Sequence, residues 1–188
     1  MRVLVACEFS GIVRDAFTSK GHDAISCDLL PSDRPGNHFQ GNVFDIINDG
    51  FDLMIAHPPC TYLCLASNTI PSSNPSLPFR SLRLNAFNFF FDLYNCSIPK
   101  IAIENPIGFL NSHFRPPDQI LHAYDFGHPF KKDICLWLKN LPPLFCSATA
   151  KPPYRTFDFS SKYHIINGRN RKSITFQGFA DAMASQWD

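Results

Sequence analysis

The apolar positions of the chain follow two rhythms. Arg2 to Cys7 (R-V-L-V-A-C) is a short, almost unbroken apolar run, the pattern of a strand buried on both faces. A turn of small residues, Phe9-Ser10-Gly11, follows, and Ile12, Val13, Ala16 and Phe17 then recur at helical spacing until Lys20-Gly21 ends the helix. His22 to Cys27 predicts a second strand, ending at Asp28. Beyond a turn-rich stretch from Pro31 to Gln40, Gly41-Asn42-Val43-Phe44-Asp45 predicts a short third strand or the start of a helix. Asp52 to Ala56 predicts a fourth strand that runs into His57-Pro58-Pro59-Cys60, and because proline cannot continue a central ladder the chain must leave the sheet there.

The second half of the chain repeats the alternation less sharply. Residues 61–79 hold Pro71, Pro75 and Pro78 among serines and asparagines and predict a long loop. Leu82 to Tyr94 predicts a helix with Leu82, Ala86, Phe89, Phe90 and Leu93 near one face, and its run of phenylalanines reads as core. Lys100 to Ile103 predicts a fifth strand ending at Glu104-Asn105-Pro106. Ile120 to Phe126 and Asp133 to Leu138 predict two more, an antiparallel pair joined through Gly127-His128-Pro129. Residues 141–172 read as loop, and a short helix is expected around Phe179 to Trp187. Strand, helix and strand in repetition predict an α/β fold, a doubly wound and mostly parallel sheet. No repeat or composition break divides the chain, so residues 1–188 are expected to form a single domain.

Composition changes this picture in three places. Of 16 acidic residues only two are glutamates, Glu8 and Glu104, and both stand at predicted strand ends. The 7 cysteines are odd in number and irregularly spaced, which fits reduced core residues better than a disulfide framework. The net charge of +1 hides an asymmetry, since residues 1–94 carry 6 basic and 9 acidic side chains while 95–188 carry 11 and 7. Much of the basic excess lies in 151–172, either a solvated face or a surface for phosphate. No apolar run approaches the ~18 residues that span a bilayer, and no cleavable leader follows Met1, so a soluble, intracellular protein without membrane contact is expected.

The candidate chemistry sits where strands end. Phe9-Ser10-Gly11, Pro58-Pro59-Cys60 and Glu104-Asn105-Pro106 each follow a predicted strand, and in a doubly wound sheet such ends converge on one cleft. Cys60 on a rigid turn is either a nucleophile presented to a ligand or a packed structural cysteine. Glu104 is either a carboxyl whose burial raises its pKa, able to bond the Watson–Crick edge of a base and protonate a ring nitrogen, or a cap for the following turn. Cys60, Cys64 and His57 lack the second pair that a structural zinc site needs.

These blocks, in this order, resemble those of the DNA cytosine-5 methyltransferases. The wording A-H-P-P-C-T-Y-L, I-E-N-P, F-G-H-P and C-L-W-L-K is closer still to short phage-type members of that family, and the resemblance covers nearly the whole chain. It implies a Rossmann-like fold of the S-adenosylmethionine-dependent type, possible viral coding, and methyl transfer to carbon 5 of cytosine through a covalent Cys60 adduct, with DNA as the expected substrate and RNA or cytosine nucleotides as alternatives. Glu104 would hold the base, Asn105 would fix the Cys60 loop, and Arg169 or Arg171 would contact the base carbonyl or a phosphate. The cofactor S-adenosylmethionine would be bound by Cys7, Phe9, Ser10 and Gly11 of the first turn, Asp28 and Leu29 at the ribose, Val43 and Asp45 at the adenine, His57 and Pro58, and Phe179 and Ala180 of the C-terminal block. The sequence departs from the family pattern at Val13, where a second glycine is usual and a side chain would crowd the turn, and at Thr61, where glutamine is usual. Few residues separate Arg171 from Gln177, where the family inserts a target-recognition domain. The expectation is therefore a catalytic domain alone, with recognition from a partner or a homo-oligomer, or a binding protein that keeps the fold without turnover.

Overall fold

The computed structural model describes residues 1–69, 79–128, 130–146, 155–156, 165–166, 169–170 and 174–188. The apolar runs become the centre of a seven-stranded sheet: β1 (Arg2–Ala6), β2 (Asp23–Asp28), β3 (His38–Gln40), β4 (Leu53–Ala56), β5 (Lys100–Asn105), β6 (Gln119–His122) and, after the short β7 (Phe130–Lys131), β8 (Asp133–Lys139). The order across the sheet is β3-β2-β1-β4-β5-β8-β6. The first five strands are parallel, whereas β8 runs antiparallel to both β5 and β6. This is the doubly wound, mostly parallel sheet of the Rossmann-like class. Two-residue ladders join β7 to β9 (Arg155–Thr156) and β10 (Ile165–Ile166) to β11 (Arg169–Asn170).

Side chains alternate across the pleat. In β1, Val3 and Val5 face one apolar cluster and Leu4 and Ala6 the other. The first cluster is covered by α1 (Ile12–Ser19) and α4 (Gln177–Gln186), which buries Phe179, Ala180 and Met183. The second is covered by α2 (Phe79–Tyr94) and the short α3 (Phe109–His113), with Phe90, Leu93 and Trp137 buried. A sheet covered on both faces explains why its inner strands read as nearly continuous apolar runs.

Four expectations shift. The turn-rich stretch ends in a strand, since His38–Gln40 pairs with β2 at the sheet edge. Residues 43–45 form a 3-10 turn capped by Asn42, whose Oδ1 accepts from Phe44 N at 3.1 Å. The expected strand from Ile120 to Phe126 stops at His122. Its remainder coils into a 3-10 turn because Asp125 Oδ2 accepts from His122 N at 3.0 Å. The fifth strand continues through Glu104 and Asn105, which pair with Leu136 and Cys135 of β8.

Candidate active site

β1 is hydrogen-bonded to β2 on one side and β4 on the other, so the strand order reverses there and a crevice opens outside the carboxyl ends. Two concavities occupy it. The larger, about 200 Å³, is lined by Cys7, Cys27, Asp28, Leu29, Gly41, Asn42, Val43, Pro59 and Phe89. The smaller is lined by Cys7, Glu8, Phe9, Ser10, His57 and Thr175, so Cys7 belongs to both.

The turn that separates them is built around Glu8. Its buried carboxylate accepts from Val13 N at 2.7 Å, Arg14 N at 3.2 Å and Ser10 Oγ at 3.0 Å. These bonds satisfy the open N-terminus of α1 and suit the positive end of its dipole. Gly11, at φ 72°, makes the left-handed corner; a Cβ there would also strike the buried guanidinium of Arg14. Val13 does not crowd this turn as the family comparison suggested, because its side chain points into the core and is fully buried. Arg14 in turn bonds Ser26 Oγ, Ser32 Oγ and Pro35 O, pinning the segment after β2 that carries Leu29.

In the larger concavity Asp28 Oδ1 accepts from Leu30 N at 2.9 Å. Burial, followed by the charges of Asp28 and Asp45, pushes the Cys27 thiol up to about 11. Burial, followed by the charges of Asp28 and Cys27, pushes the Cys7 thiol up as well. Phe89, expected in the core, is half-buried; it lines the concavity and meets Phe44 edge-on with ring centroids 5.6 Å apart. Asp45 is exposed beside this wall rather than part of it.

The other end of the crevice holds the nucleophile candidate. Cys60 is exposed on the turn after β4, and Leu63 N and Cys64 N both donate to its carbonyl oxygen. Asn105 is buried and its Nδ2 donates to Pro58 O at 3.0 Å, tying β5 to the Pro-Pro turn. Gly108 closes the back of the loop: a Cβ there would overlap the Leu63 carbonyl, which accepts from Phe109 N at 2.7 Å.

Glu104 faces this turn with its side chain 16% exposed. Its Oε2 lies 3.4 Å from His57 Nδ1 and its Oε1 4.0 Å from Lys132 Nζ. Burial alone would push the carboxyl up, as expected from sequence, but the Lys132 ammonium and the His57 bond outweigh it and hold the carboxyl at about 2. The expectation of a carboxyl poised between its two forms is thereby corrected; in the free protein Glu104 is a carboxylate. Cys60 moves the other way: although the residue is exposed at the surface, the protein packed around its sulfur removes part of its water, and this, then the charges of Glu104 and Cys64, raises its thiol against the pull of Lys132. His57 Nε2 is buried and without a hydrogen-bond partner among the described residues.

Cys7, Phe9, Ser10, Asp28, Leu29, Val43 and His57 thus line the crevice, with Cys60, Glu104 and Asn105 beside it. Pro58 is buried beneath, and Gly11 shapes the turn. Phe179 and Ala180 lie in the core under α4 and line neither concavity. Arg169 is described only as backbone in β11, and Arg171 lies outside the described residues, as does most of the basic stretch 151–172. Sequence reasoning missed Lys132 and the wall residues Cys27 and Phe89, and named Pro59 only as part of the Pro58-Pro59-Cys60 turn. Phe89 carried a signal, as one of four phenylalanines on the helix expected over Leu82 to Tyr94.

No family model matches the chain, and no curated protein matches it. Among solved structures the chain resembles the crystal structure of S. pombe Dnmt2 methyltransferase, with 18% sequence identity and a TM-score of 0.43 over 73% of this chain and 48% of that one. The chain therefore spans about half the length of that structure. No helix among the described residues is long and apolar enough to cross a membrane.

Proposed function

We propose that this chain is an S-adenosylmethionine-dependent methyltransferase that methylates carbon 5 of cytosine in DNA through a covalent bond from Cys60. The observation that carries the reading is one sheet edge at which Cys60, on the turn after β4, and Glu104, at the end of β5, come together, the Glu104 charge raising the Cys60 thiol, beside a crevice whose far wall ends in Asp28. That crevice fits the cofactor. Asp28 has one carboxylate oxygen engaged by Leu30 N and another for a ribose hydroxyl; Leu29, Val43 and Phe89 offer apolar walls for an adenine. The orphaned His57 Nε2 offers a buried polar partner for a ligand. When bound, S-adenosylmethionine supplies a methyl group on a sulfonium, which passes to carbon 5 of the base.

The chain's own residues supply the rest. A neutral Cys60 beside an ionised Glu104 has the same proton count as a thiolate beside a carboxylic acid. When cytosine offers N3 and its amino group to Glu104, the thiol proton reaches N3 through the carboxylate while sulfur bonds carbon 6. Carbon 5 gains the electron pair of the former double bond. After methylation a base removes the carbon 5 proton, the double bond re-forms as Cys60 leaves as a thiolate, and the N3 proton returns through the Glu104 carboxylate to the sulfur. The base must stand outside the stack for sulfur to reach carbon 6.

The discriminating experiment supplies tritiated S-adenosylmethionine with duplex DNA, single-stranded DNA, RNA or cytosine nucleotides. Label in DNA that is lost in Cys60→Ser, with a covalent adduct to 5-fluorocytosine DNA, supports the proposal. Label in RNA or nucleotides alone moves the substrate, and label that survives Cys60→Ser sinks the covalent mechanism. One observation favours a second reading, a binding protein without turnover: the raised Cys60 thiol is a poor nucleophile at rest. Under that reading the cofactor binds and no acceptor is ever labelled.

A further inference from the structure

The short edge strand β3 sets two polar side chains, His38 and Gln40, on one face of the pleat. Both reach the chain just past the end of β2. His38 Nε2 lies 3.0 Å from Leu30 O and, since a carbonyl only accepts, donates to it; Gln40 Nε2 donates to Leu29 O at 3.3 Å. With Leu30 N donating to Asp28 Oδ1, the two residues after β2 are held by three side chains. His38 is itself backed from the interior. Its Nδ1 lies 2.9 Å from the hydroxyl of Ser26, its cross-strand partner, and Arg14 Nη1 donates to that same hydroxyl at 3.2 Å. Ser26 and Arg14 are both buried. Arg14 also donates to Ser32 Oγ and Pro35 O, and Gly36, at φ 142°, lets the chain close on the guanidinium, because a Cβ there would come within 2.7 Å of it. Leu29 lines the larger concavity yet is 74% exposed, so a large apolar side chain stands at the mouth of the site on a backbone that cannot swing away without breaking these bonds.

We propose that His38, backed by Arg14 through Ser26, is a positioning residue for cofactor binding: it fixes the Leu29–Leu30 backbone so that the Leu29 side chain covers the nucleoside end of S-adenosylmethionine. His38 touches no ligand and acts through Leu29. The proposal rests on the cofactor site proposed above. A leucine on a free loop has to be ordered at the moment of binding, which subtracts from affinity; one held beforehand adds its apolar contact without that loss. The buried partners of His38 matter for the same reason. An unsupported surface imidazole would exchange its bond to Leu30 O with water, whereas a ring tied to Ser26 keeps its donor aimed at the carbonyl.

The test measures binding of S-adenosylmethionine and S-adenosylhomocysteine by calorimetry in wild type, His38→Leu and His38→Gln, each with and without Leu29→Ala. His38→Leu is expected to weaken both ligands about 5–10-fold, the worth of one such bond, and His38→Gln, whose amide keeps a donor for Leu30 O, to recover most of it. Leu29→Ala is expected to cost about tenfold in wild type but about threefold or less in His38→Leu, since a leucine no longer held contributes little. A role confined to general stability would leave the two losses additive. Amide hydrogen exchange of the ligand-free protein gives a second readout: the peptide covering residues 28–36 should exchange faster in His38→Leu, while those from β1 and the Cys60 turn match wild type and show that the variant has folded. Wild-type affinity in His38→Leu, additive losses, or unchanged exchange across 28–36 each overturns the role of His38 and leaves the proposed function standing. A wild type that binds neither ligand overturns the cofactor site and the role of His38 together.

Discussion

The chain spends its two glutamates at two corners of the same sheet edge, and it treats them differently. Glu8, after β1, is locked by the Ser10 hydroxyl and by two backbone N–H groups, Val13 and Arg14, that cannot leave without unwinding the first turn of α1. Glu104, at the end of β5, is held by His57 and Lys132, side chains that can exchange a carboxylate for a ligand at little cost to the backbone. A carboxylate satisfied by the main chain is architecture. One satisfied by side chains is available for chemistry, and burial alone does not distinguish them.

The sharpest way to break this contrast is at the Glu104 corner. Cys60→Ser should abolish the covalent adduct with 5-fluorocytosine DNA while leaving the melting temperature near that of wild type; an adduct that persists would relocate the nucleophile. Glu104→Gln should lower methyl transfer by about 10²–10⁴-fold, the usual worth of a positioned acid–base group, measured as kcat under saturating cofactor.

Acid should separate the corners by stability. Burial would raise the Glu104 carboxyl, but Lys132 and His57 hold it at about 2 against an ordinary 4.5. A depressed carboxyl stabilises the fold above its unfolded value and loses that contribution as pH falls towards its folded one. Between pH 4.5 and 2 wild type should therefore lose roughly 3 kcal/mol that Glu104→Gln does not, read from urea melts of both proteins. Glu8→Gln should do the reverse of Glu104→Gln. It sets an amide donor against backbone N–H groups, and should cost about 2 kcal/mol, a fall of about 4–8 °C in Tm. Transfer per folded molecule should change less than in Glu104→Gln. Equal catalytic losses in both variants would erase the distinction.

The parts of the molecule legible in the sequence are those whose physics is local. β1, β2, β4 and β5 are buried on both faces and announce themselves as apolar runs, and the prolines after β4 mark where the chain must turn out. β3 escaped because an edge strand of His38-Phe39-Gln40 needs no apolar run. β6 was overdrawn because the Asp125 cap that closes the turn after His122 leaves no trace in hydropathy. At the site, Cys60 and Glu104 were visible from their places at strand ends. The ionisation of Glu104 was not, since burial can be guessed from a strand while its partners cannot. Lys132, in a turn beside Lys131, looks like any surface lysine; only the antiparallel insertion of β8 between β5 and β6 brings it to the cleft.

That reversed strand also sets where the molecule can be extended. Every parallel strand presents its exit to the cleft, so extra chain added after it thickens the cleft floor and disturbs the turns that carry Cys60 or Glu8. β8 presents its beginning instead, and Lys132, just ahead of Asp133, already stands beside Glu104. A segment grafted between Gly127 and Asp133 would therefore emerge at the cleft edge beside Glu104, whereas one grafted after Lys139 would emerge at the opposite edge of the sheet.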